Sequence, residues 1–586
     1  MRQWMVAAKK ADFYAIAEKF HVDPVVARII RNREVIGEKN IRIYLGGNLS
    51  DLSDPHQMKD MDRLVEILAQ KIRKQVHIRI IGDYDVDGVT SSHLFLTALR
   101  RVGAKVDVVI PHRIQDGYGL SLHLLQQAKE DGVDTILTCD NGIAAIDEIA
   151  WAKAQKMTVL VTDHHAVPFE EHEGRRTEKK SLADAVVNPH QQDCGYPYKE
   201  LCGAGVAWNV IRVLYENYDM DKREAEDLLD FVAMATVCDV MSLTGENRIL
   251  VKEGLKRIRH TKNIGLQALM QACNVQPENI SAYHFGYVLG PCVNATGRLD
   301  TARHALRLFE TGQETEAEEI ARDLVDLNQE RKELTLQGVE MAKKLCEEGG
   351  YENDPVLVLF LPDVHESIAG LIAGRIREMY NRPVFVLTRG EEGVKGSGRS
   401  TENYSMYENM CGCAELFTKF GGHPMAAGLS LPEENVEKFR RKINENCPLT
   451  VEEVCPDIHI DMAMPVEYAS TELVHQFALL EPFGKDNPSP LFADRNLSIS
   501  RMWLIGKNRN VLRMSVLSEY GQPVPVIFFG DVETLFAYFT EKFGQEEVEN
   551  ALHGRKNRIL FSMVYTAKID FYQGNENLQL EMKYYR

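Results

Sequence analysis

Apolar runs alternate with helical stretches between residues 76 and 187, and this alternation restricts the possible folds more than any other feature of the chain. Strands separated by helices at this spacing predict an α/β domain built on a doubly wound parallel sheet. Helices are expected near residues 89–102, 121–130 and 143–155. The strand-like runs are VHIRII (76–81), KVDVVI (105–110), DTILTC (134–139), MTVLVT (157–162) and AVV (185–187). Such sheets bind ligands beyond the carboxyl ends of their strands.

The first run leads into three alternating carboxylates, Asp83, Asp85 and Asp87, which are followed by Gly88. Carboxylates at the end of a buried strand repel one another, and a divalent cation is the usual partner that offsets the repulsion. Their hard oxygen ligands suit magnesium and manganese. A solvated acidic turn explains the stretch equally well when it is taken alone. A calcium loop needs a Glu near its twelfth position, where this chain has Leu94.

Further polar residues follow the later runs. Asp140-Asn141-Gly142 follows the third run, and Asp163-His164-His165 follows the fourth. Asp239 ends a helical segment, DFVAMATVCDV. A His pair in a loop is more often a surface feature than a ligand, but the fold would bring these Asp and His residues to one edge of the sheet. The joint pattern therefore predicts a site for manganese or magnesium rather than a structural zinc.

Composition limits the environment of the protein. The net charge is −18, so a nucleic-acid site would have to be a local groove of Arg and Lys. The 11 cysteines are scattered without a CxxC pair, which argues against a zinc finger or a disulfide framework and indicates a reducing setting. Neither a signal peptide nor an apolar stretch of membrane-spanning length is evident. We therefore expect a cytoplasmic protein that makes no membrane contact.

A helix-rich stretch and a second α/β lobe follow. Residues 306–350 contain a run of helical periodicity with many opposite charges four residues apart, which indicates a long helix joining two lobes or an ordinary bundle helix. PVLVLF (355–360) and PVFVLT (383–388) are predicted strands. The helix HESIAGLIAGRI (365–376) between them has Gly370 and Gly374 where a backbone can approach closely. We expect GVKGSGRS (393–400) and GGHPMAAGLSL (421–431) to be Gly-rich turns, which either cradle phosphate oxygens or are plain loops.

The chain after residue 456 has many short strand-like runs separated by turn signals, which predicts a small β-barrel. Aromatic residues on such a barrel can stack on nucleobases. Trp503, Phe528 and Phe529 are candidates, although we expect core packing for each of them.

Four motifs together, DYDVDG, DNG, DHH and CDV, resemble the motif set of the DHH phosphoesterase superfamily. VVNPHQQDCGYPYKELCGAGVAW (186–208) and GPCVNATGRLD (290–300) are similar to the RecJ-type single-strand DNA exonucleases. HES…GR, GSGRS and GGHPMAAG resemble the DHHA1 domain, and EPFGKDNPSPLF (481–492) resembles the entry into the OB fold of that family. The implied domains are an N-terminal helical segment (1–75), a DHH domain (76–305), a connecting helix (306–350), a DHHA1 domain (351–455) and an OB-fold domain (456–586).

The resemblance also implies a site for two Mn²⁺ or Mg²⁺ ions. Asp140 would bridge the ions and Asp83 would bind one of them. Asp85, His164 and Asp239 would bind the other. Asp163 would orient the site as a supporting residue, and His165 would face the scissile phosphate as an acid or a charge stabiliser. Asp87 would only shape the turn.

Substrate-binding residues follow from the same resemblance. Arg113, Arg298 and Arg399 match family positions expected near the phosphates. Arginine suits this task, because a guanidinium group binds phosphate in bidentate fashion. Surface positions or structural salt bridges are the alternative explanation of these arginines. The Gly-rich segments would add Ser397, Gly422 and His423.

Three residues depart from the family pattern. Ile81 stands where many relatives have His, which would remove one metal ligand beside Asp83. Cys292 replaces a frequent Arg, and Ser367 replaces a usual Gly.

The implied function is metal-dependent hydrolysis of single-stranded DNA in the 5′→3′ direction to mononucleotides, in recombination and repair. A single-strand-binding protein or a helicase is an expected partner, and a monomer suffices because one chain forms the groove. One alternative is a nanoRNase-like phosphodiesterase acting on oligonucleotides or cyclic dinucleotides, against which the extra β-rich region argues. A second is a catalytically silent scaffold that binds single strands. Ile81 is in favour of this scaffold, and against it is the retention of six motif residues: Asp83, Asp85, Asp140, His164, His165 and Asp239.

Overall fold

A computed structural model describes residues 3–113, 116–172, 175–351, 353–390, 393–506, 509–518, 521–572 and 574–586. Ile114 and Gln115 of the predicted PHRIQDGYGL segment lie outside these ranges. The chain forms two compact units. The first contains residues 52–241 and 246–456, and the second contains residues 3–51, 242–245 and 457–586. The predicted N-terminal segment, residues 1–75, is therefore divided after residue 51 between the two units.

The strands are β1 Trp4–Val6, β2 His77–Ile81, β3 Lys105–Val109, β4 Thr135–Cys139, β5 Thr158–Thr162, β6 Phe169–His172, β7 Arg175–Glu178, β8 Ala185–Val187, β9 Leu357–Phe360, β10 Val384–Arg389, β11 Val394–Arg399, β12 Lys419–His423, β13 Ala426–Leu431, β14 Ile458–Ile460, β15 Met462–Ala463, β16 Phe492–Ile505, β17 Val511–Leu517, β18 Pro523–Phe528, β19 Leu560–Tyr572 and β20 Asn575–Tyr585.

The helices are α1 Phe13–Phe20, α2 Pro24–Asn32, α3 Glu38–Gly46, α4 Met61–Arg73, α5 Val86–Arg101, α6 Leu122–Glu130, α7 Ile146–Ala154, α8 Gly203–Asn217, α9 Lys222–Glu226, α10 Leu229–Cys238, α11 Gly245–Ile258, α12 Ile264–Ala272, α13 Ala282–His284, α14 Gly290–Leu299, α15 Arg303–Glu310, α16 Glu314–Glu348, α17 Glu366–Tyr380, α18 Met406–Cys411, α19 Val436–Glu445, α20 Thr471–Gln476, α21 Val532–Phe543 and α22 Gln545–Leu552. A π-helical turn, Phe285–Leu289, joins α13 to α14. No helix among the described residues combines the length and the apolar character needed to cross a bilayer.

The first unit contains the predicted parallel sheet, which is therefore confirmed. Its five strands lie in the order β3-β2-β4-β5-β8, and all pair in parallel. The chain runs outward from β2 to β3 and then returns to the other side of β2 to form β4. This reversal leaves a crevice at the carboxyl ends of β2 and β4, which is where sheets of this topology bind ligands. Asp83 follows β2, and Asp140 follows β4.

The predicted long helix is α16, which is a single helix of 35 residues. Its first half packs on the helices that follow the parallel sheet, where Asn328 donates to the Cys292 sulfur over 3.3 Å. Its second half packs on the next lobe, where a Cβ at Gly338 would lie 2.3 Å from Ile372 Cδ1. The helix therefore joins two lobes of one compact unit, as the sequence indicates.

The second lobe contains a five-stranded sheet in the order β12-β13-β11-β10-β9. The prediction of two Gly-rich turns is wrong here. GVKGSGRS forms β11, which pairs with β10 and β13, and GGHPMAAGLSL forms most of the β12–β13 hairpin. Glycines are depleted in strands in general, but these make room for large neighbours. A Cβ at Gly398 would lie 2.3 Å from Met406 Sδ. Because the backbone amides of β11 lie within the sheet, a phosphate cradle of free amides is not formed there.

The second unit contains the predicted barrel, which is confirmed as a closed five-stranded structure. The strands β16-β17-β18-β20-β19 form the wall, and β19 pairs back onto β16. The N-terminal residues join this unit, because β1 pairs in parallel with β14 and Arg33 Nη1 lies 2.7 Å from Asp461 Oδ1.

The three candidate aromatic residues of the barrel differ in exposure. Phe528 is buried as expected, and Trp503 is half-buried. The prediction of core packing is wrong for Phe529, whose side chain is 53% exposed. The Lys568 ammonium lies 5.7 Å from the centre of the Phe529 ring, so a surface aromatic residue with a cation over it stands where we expected a core side chain.

His93 on α5 is a buried imidazole, so the stability of the first unit should depend on pH. It packs on Phe231 and Phe309, and burial lowers its pKa to about 3, with a smaller effect of Arg100. The unfolded chain therefore takes up a proton near pH 6.5 that the folded chain does not bind, and stability falls as the pH drops below that value. We expect His93→Leu to flatten this slope between pH 6 and pH 4 by up to about 1.4 kcal/mol per pH unit.

Denaturant unfolding of both proteins across this pH range measures the effect. Asp230, the nearby buried carboxyl group with a raised pKa, is present in both proteins, so the difference isolates His93. Equal slopes in the two proteins would contradict the prediction.

Candidate active site

The turn after β2 is folded around its own carboxylates. Asp85 caps α5, because its Oδ1 accepts the Gly88 N–H over 3.1 Å. Asp87 accepts the N–H groups of Gly203 and Ala204 at the start of α8 over 2.6 and 2.7 Å. A Cβ at Gly88 would lie 2.5 Å from the backbone of Asp83. Gly88 thus lets α5 approach closely enough to bring the three carboxylates to one place.

Asp140 follows β4 in the left-handed region, with φ of 60°. Aspartate tolerates this region better than most residues, and the conformation turns the side chain toward the β2 end. Asn141 supports the turn, since its Nδ2 donates to the carbonyl groups of Ile81 and Cys139. A Cβ at Gly203 would lie 2.6 Å from Asp140 Cβ. Strand ends and the start of α8 therefore hold Asp140 in one position.

Asp163, His164 and His165 follow β5. Asp163 accepts three backbone N–H groups, from Ile143, His164 and His165, over 2.7–3.0 Å. Its Oδ1 also accepts a hydrogen bond from His165 Nδ1 over 2.7 Å. Asn188, in the segment VVNPHQQ, donates to the His165 carbonyl over 2.9 Å. Asp163 is thus a supporting residue that fixes the two histidines.

The structure brings together every residue predicted to bind metal. Three groups have ligand atoms within 4.8 Å of one another: Asp83, Asp85 and Asp140; Asp140, His164 and His165; Asp87, His164 and Asp239. Asp140 and His164 each belong to two of the groups, and Asp140 is the carboxylate among them that was expected to bridge.

Two placements differ from the expectation. Asp85 groups with Asp83 rather than with His164 and Asp239, because its capping bond to Gly88 holds it on that side. Asp87, expected only to shape the turn, lies 3.7 Å from His164 Nε2.

The electrostatics of this cluster fit a divalent cation. Burial and the charge of Asp85 raise the pKa of Asp83 well above its ordinary value. Burial and the charges of Asp87 and Asp85 do the same to the pKa of Asp140. Burial lowers the pKa of His164 to about 3, so its imidazole is neutral.

Several buried ligand atoms of the cluster also lack a hydrogen bond within the part of the chain that the structure describes. Both Asp83 oxygens, Asp140 Oδ1 and His164 Nε2 make no hydrogen bond with the described residues, although His164 Nε2 lies 3.1 Å from Asp140 Oδ1. Crowded carboxylates and a neutral imidazole without partners are the ligand set that manganese and magnesium take.

His165 is the cationic member of the cluster. Burial opposes its protonation, but the hydrogen bond and the charge of Asp163 raise its pKa to about 9. Its ring also contacts Tyr118, whose hydroxyl lies 3.0 Å from His165 Nε2 and donates to the Asp140 carbonyl over 2.9 Å. Sequence reasoning did not identify Tyr118. The glycines on either side of it, Gly117 and Gly119, both have positive φ, and their DGYGL pattern is the available signal.

A cavity of about 440 Å³ in the first unit is lined by one of the predicted arginines and by Ser367 and Ser397, which contact the other two. Arg113 lines it and lies 4.0 Å above the Tyr84 ring. Arg298 donates to the Ser367 carbonyl over 2.6 Å, across the two lobes. Arg399 Nη1 donates to Ser397 Oγ over 3.1 Å. The three guanidinium groups thus lie at one junction of helices and strands.

Burial and repulsion between positive charges lower the pKa values of two arginines in this junction. Burial, together with Arg113, Arg331 and Arg399, lowers the pKa of Arg298 to about 9. Burial lowers the pKa of Arg399, and the positive charge of Arg377 adds a smaller effect in the same direction. Arg113, Arg298 and Arg399 have no carboxylate partner among the described residues, which favours a bound phosphate. The cavity lining also contains one carboxylate, Glu366, which lies 2.8 Å from Lys395 Nζ. Lys395 and Lys419, not identified from the sequence, also line the cavity.

Gly422 and His423 do not join the cavity lining. Both are exposed at the tip of the β12–β13 hairpin, whereas Lys419, Phe420 and Gly421 of the same strand do line it. Gly422 has φ of 152°, and a Cβ there would lie 2.4 Å from the Ala426 carbonyl. The positive φ and the close approach of the opposite strand in the hairpin therefore explain why glycine stands at position 422. The structure gives His423 no contact with the candidate site.

Family models cover most of the chain. The model of the DHH family, N-terminal domain, matches residues 77–236, the DHHA1 domain matches residues 353–447, and the RecJ OB domain matches residues 460–584.

Curated relatives include the single-stranded-DNA-specific exonucleases RecJ of Haemophilus influenzae and Escherichia coli. The chain is 32% identical to the first over 582 residues, with 96% of each chain covered, and 31% identical to the second, with 95% of each covered. It is 33% identical to the RecJ of Bacillus subtilis, of which it spans 63%.

Solved structures agree with these matches. The crystal structure of RecJ from Thermus thermophilus in complex with Mn²⁺ superposes with a TM-score of 0.81 at 25% identity, covering 100% of this chain and 79% of that one. A second, of exonuclease RecJ bound to manganese, gives a TM-score of 0.57 at 32% identity and covers 66% of this chain and 94% of that one.

Proposed function

The chain belongs to the RecJ family of single-stranded-DNA-specific exonucleases, and from this we propose that it hydrolyses single-stranded DNA from the 5′ end to mononucleotides with divalent metal ions. The observation that carries the proposal is the cluster at the ends of β2, β4 and β5, in which both Asp83 oxygens, Asp140 Oδ1 and His164 Nε2 are buried without a hydrogen bond to the described residues. Phosphodiester hydrolysis is the reaction that such a cluster supports beside a phosphate-binding cavity.

We propose that two Mn²⁺ or Mg²⁺ ions are held by these residues, with Asp140 shared between them. Asp83 and Asp85 would complete one site, and Asp87, His164 and Asp239 the other. When bound, such ions supply an activated water and neutralise charge on the phosphate. Asp163 keeps His165 oriented and protonated, so that His165 places a positive charge and a proton donor at the mouth of the cluster.

The end of the strand would lie in the cavity between the lobes. We propose that Arg298 and Arg399, which contact the cavity-lining residues Ser367 and Ser397, bind a terminal phosphate there. Arg113 is fixed on the Tyr84 ring beside them. A terminal phosphate in this cavity would set the register of the first internucleotide linkage against the cluster, which is why mononucleotides would be released.

A strand labelled at its 3′ end tests this proposal. With Mn²⁺ we expect progressive shortening from the 5′ end on single-stranded DNA, and little reaction on a matching duplex or an RNA strand. Shortening from the 3′ end would contradict the polarity. Turnover of dinucleotides without cleavage of the long strand would favour the nanoRNase-like alternative, and binding without cleavage would favour the scaffold.

Gly370 and Gly374 on α17 offer a matched pair for testing the phosphate-binding end. A Cβ at Gly370 would lie 2.7 Å from Ser397 Oγ and 2.8 Å from Arg399 Nη2, whereas a Cβ at Gly374 meets nothing within 4 Å. We expect Gly370→Ala to displace Arg399 and to raise the KM for a 5′-phosphorylated strand about tenfold, the equivalent of about 1.4 kcal/mol. Gly374→Ala is the control, with the same gain in helix propensity. Equal KM values in the two variants would refute this role of Arg399.

Other parts of the proposal rest on the family and on composition. We propose roles in DNA recombination and repair, a monomeric enzyme, and a helicase or single-strand-binding protein as a partner. A cytoplasmic location agrees with the free thiol groups of all cysteines that the structure describes. The domain boundaries 1–75, 76–305, 306–350, 351–455 and 456–586 also stay a proposal.

A further inference from the structure

Two exposed tyrosines stack on each other beside the candidate active site. Tyr283 and Tyr287 are 63% and 72% exposed. Their ring centres lie 5.1 Å apart, and the ring planes differ by 23°. They occupy α13 and the π-helical turn that follows it, and lie four positions apart on one face of the helical stretch. Stacked rings that face solvent are a ready surface for another flat, aromatic group.

The helix that carries this pair is fixed to the active site at several points. Helix α14 continues the π-helical turn, and its Asn294 Oδ1 accepts the Val86 N–H in the catalytic turn over 3.2 Å. A Cβ at Gly290 would lie 2.3 Å from Cys238 Sγ, and the same sulfur contacts the Phe285 carbonyl over 3.3 Å. Cys238 directly precedes Asp239. The tyrosine pair is therefore held in a constant position relative to the metal-binding cluster.

An exposed apolar residue directly follows Asp239. Val240 is 62% exposed and has φ of 54°, which is a strained conformation for a β-branched residue. Such strain concentrates at functional sites. Gly286, in the π-helical turn, packs toward Val237 near the end of α10, the helix that precedes Asp239.

The pair and the phosphate-binding arginine lie at opposite ends of one helix. Tyr287 precedes Arg298 by 11 residues, which corresponds to about 16 Å along a helix. The catalytic turn touches the same helix between them, because a Cβ at Gly297 would lie 2.4 Å from the Tyr84 carbonyl. A strand whose end is held by Arg298 and which crosses the cluster would reach the tyrosines after a few nucleotides.

We infer that Tyr283 and Tyr287 form a stacking platform for the unpaired bases of the single-stranded substrate, on the side of the cluster away from Arg298. The inference rests on the proposed function. Every nucleobase has a π-face, so stacking on this platform holds a strand without selecting its sequence. Paired bases stack on one another and are not available, so the platform also favours single strands over duplexes.

Kinetics of a double variant test the platform. We expect Tyr283→Ala with Tyr287→Ala to raise the KM for a 12-nucleotide single strand between about 5-fold and about 100-fold, the range that loss of base–aromatic stacking produces. The double Phe variant keeps both rings and should retain the KM of the original protein. Tyr14→Ala removes an exposed tyrosine from the other compact unit and is the matched control.

A fluorescent base reports on stacking directly. A strand with 2-aminopurine at its third to fifth positions, and with phosphorothioate linkages that resist cleavage, should be quenched on binding to the original protein and to the double Phe variant, but not to the double Ala variant. A KM within twofold of the original value, or quenching that persists in the double Ala variant, would overturn the inference. Failure of the original protein to cut any single strand would instead overturn the proposed function.

Discussion

Asp140→Asn should abolish catalysis and make the metal-free protein more stable. Asp140 belongs to two ligand groups, and its loss should lower the rate on single-stranded DNA at least about 10³-fold, the equivalent of about 4 kcal/mol of transition-state stabilisation. The same carboxylate is buried beside Asp83, Asp85, Asp87 and Asp239, which raise its pKa. Removing its charge relieves this repulsion, so we expect the unfolding free energy of the metal-free protein to rise by about 1 kcal/mol. Asparagine also tolerates the positive φ at this position.

Thermal unfolding in EDTA and in Mn²⁺ separates the two effects. The original protein should gain stability on addition of Mn²⁺, because a ligand that binds only the folded state stabilises it. The variant should start from a higher midpoint in EDTA and gain little from the metal. Asp193→Asn, an exposed carboxylate paired with Lys59, is the control for loss of one negative charge. A lower midpoint in EDTA, or an unreduced gain from Mn²⁺, would show that Asp140 does not hold the cation.

Gly88→Ala should inactivate the enzyme through the backbone alone. A Cβ at Gly88 would lie 2.5–2.6 Å from the N, O and C atoms of Asp83, and backbone atoms cannot turn away as a side chain can. We expect a loss of about 2–3 kcal/mol in stability and about a 100-fold loss of activity, because the carboxylates after β2 move relative to Asp140.

Gly46→Ala is the control for this substitution, because Gly46 ends α3 and has no atom within 4 Å of the added Cβ. Alanine there should be neutral or should stabilise the protein by up to about 1 kcal/mol. Chemical denaturation and initial rates measure both variants. If Gly88→Ala keeps the activity of the original protein, close packing of α5 on Asp83 is not required for the site.

Periodicity was sufficient to predict the elements that are buried on both faces. The runs before Asp83, Asp140 and Asp163 contain mostly Val, Ile, Leu and Thr, and all of them form strands of the parallel sheet. The glycine-containing segment from 394 to 399 was misassigned, because glycine is typical of turns and its use in a strand depends on neighbours such as Met406. The pairing of Trp4–Val6 with Ile458–Ile460 joins segments about 450 residues apart, and no local pattern reports such a contact.

Much of the site was also predictable, because residues that follow parallel strands converge whatever the loop details are. The hydrogen-bond partners of each carboxylate could not be predicted from the sequence. Asp85 and Asp87 differ by two positions, and only the capping bond to Gly88 and the amides of Gly203 and Ala204 decide which side each faces. Tyr118 was missed because an exposed loop tyrosine has no periodicity, and its role depends on contacts with Asp140 and His165.

The 35-residue helix α16 also limits how chains of this kind can change in length. It contacts one lobe near Asn328 and the other near Gly338. The number of residues between these two contacts therefore fixes the distance and the rotation between the lobes. Inserting one residue between these points would turn everything beyond it by about 100° and advance it by about 1.5 Å. Arg298 on one lobe would then no longer reach the Ser367 carbonyl on the other. Insertions and deletions should therefore accumulate in the hairpins and loops of homologous chains, and the stretch from 328 to 338 should keep a constant number of residues.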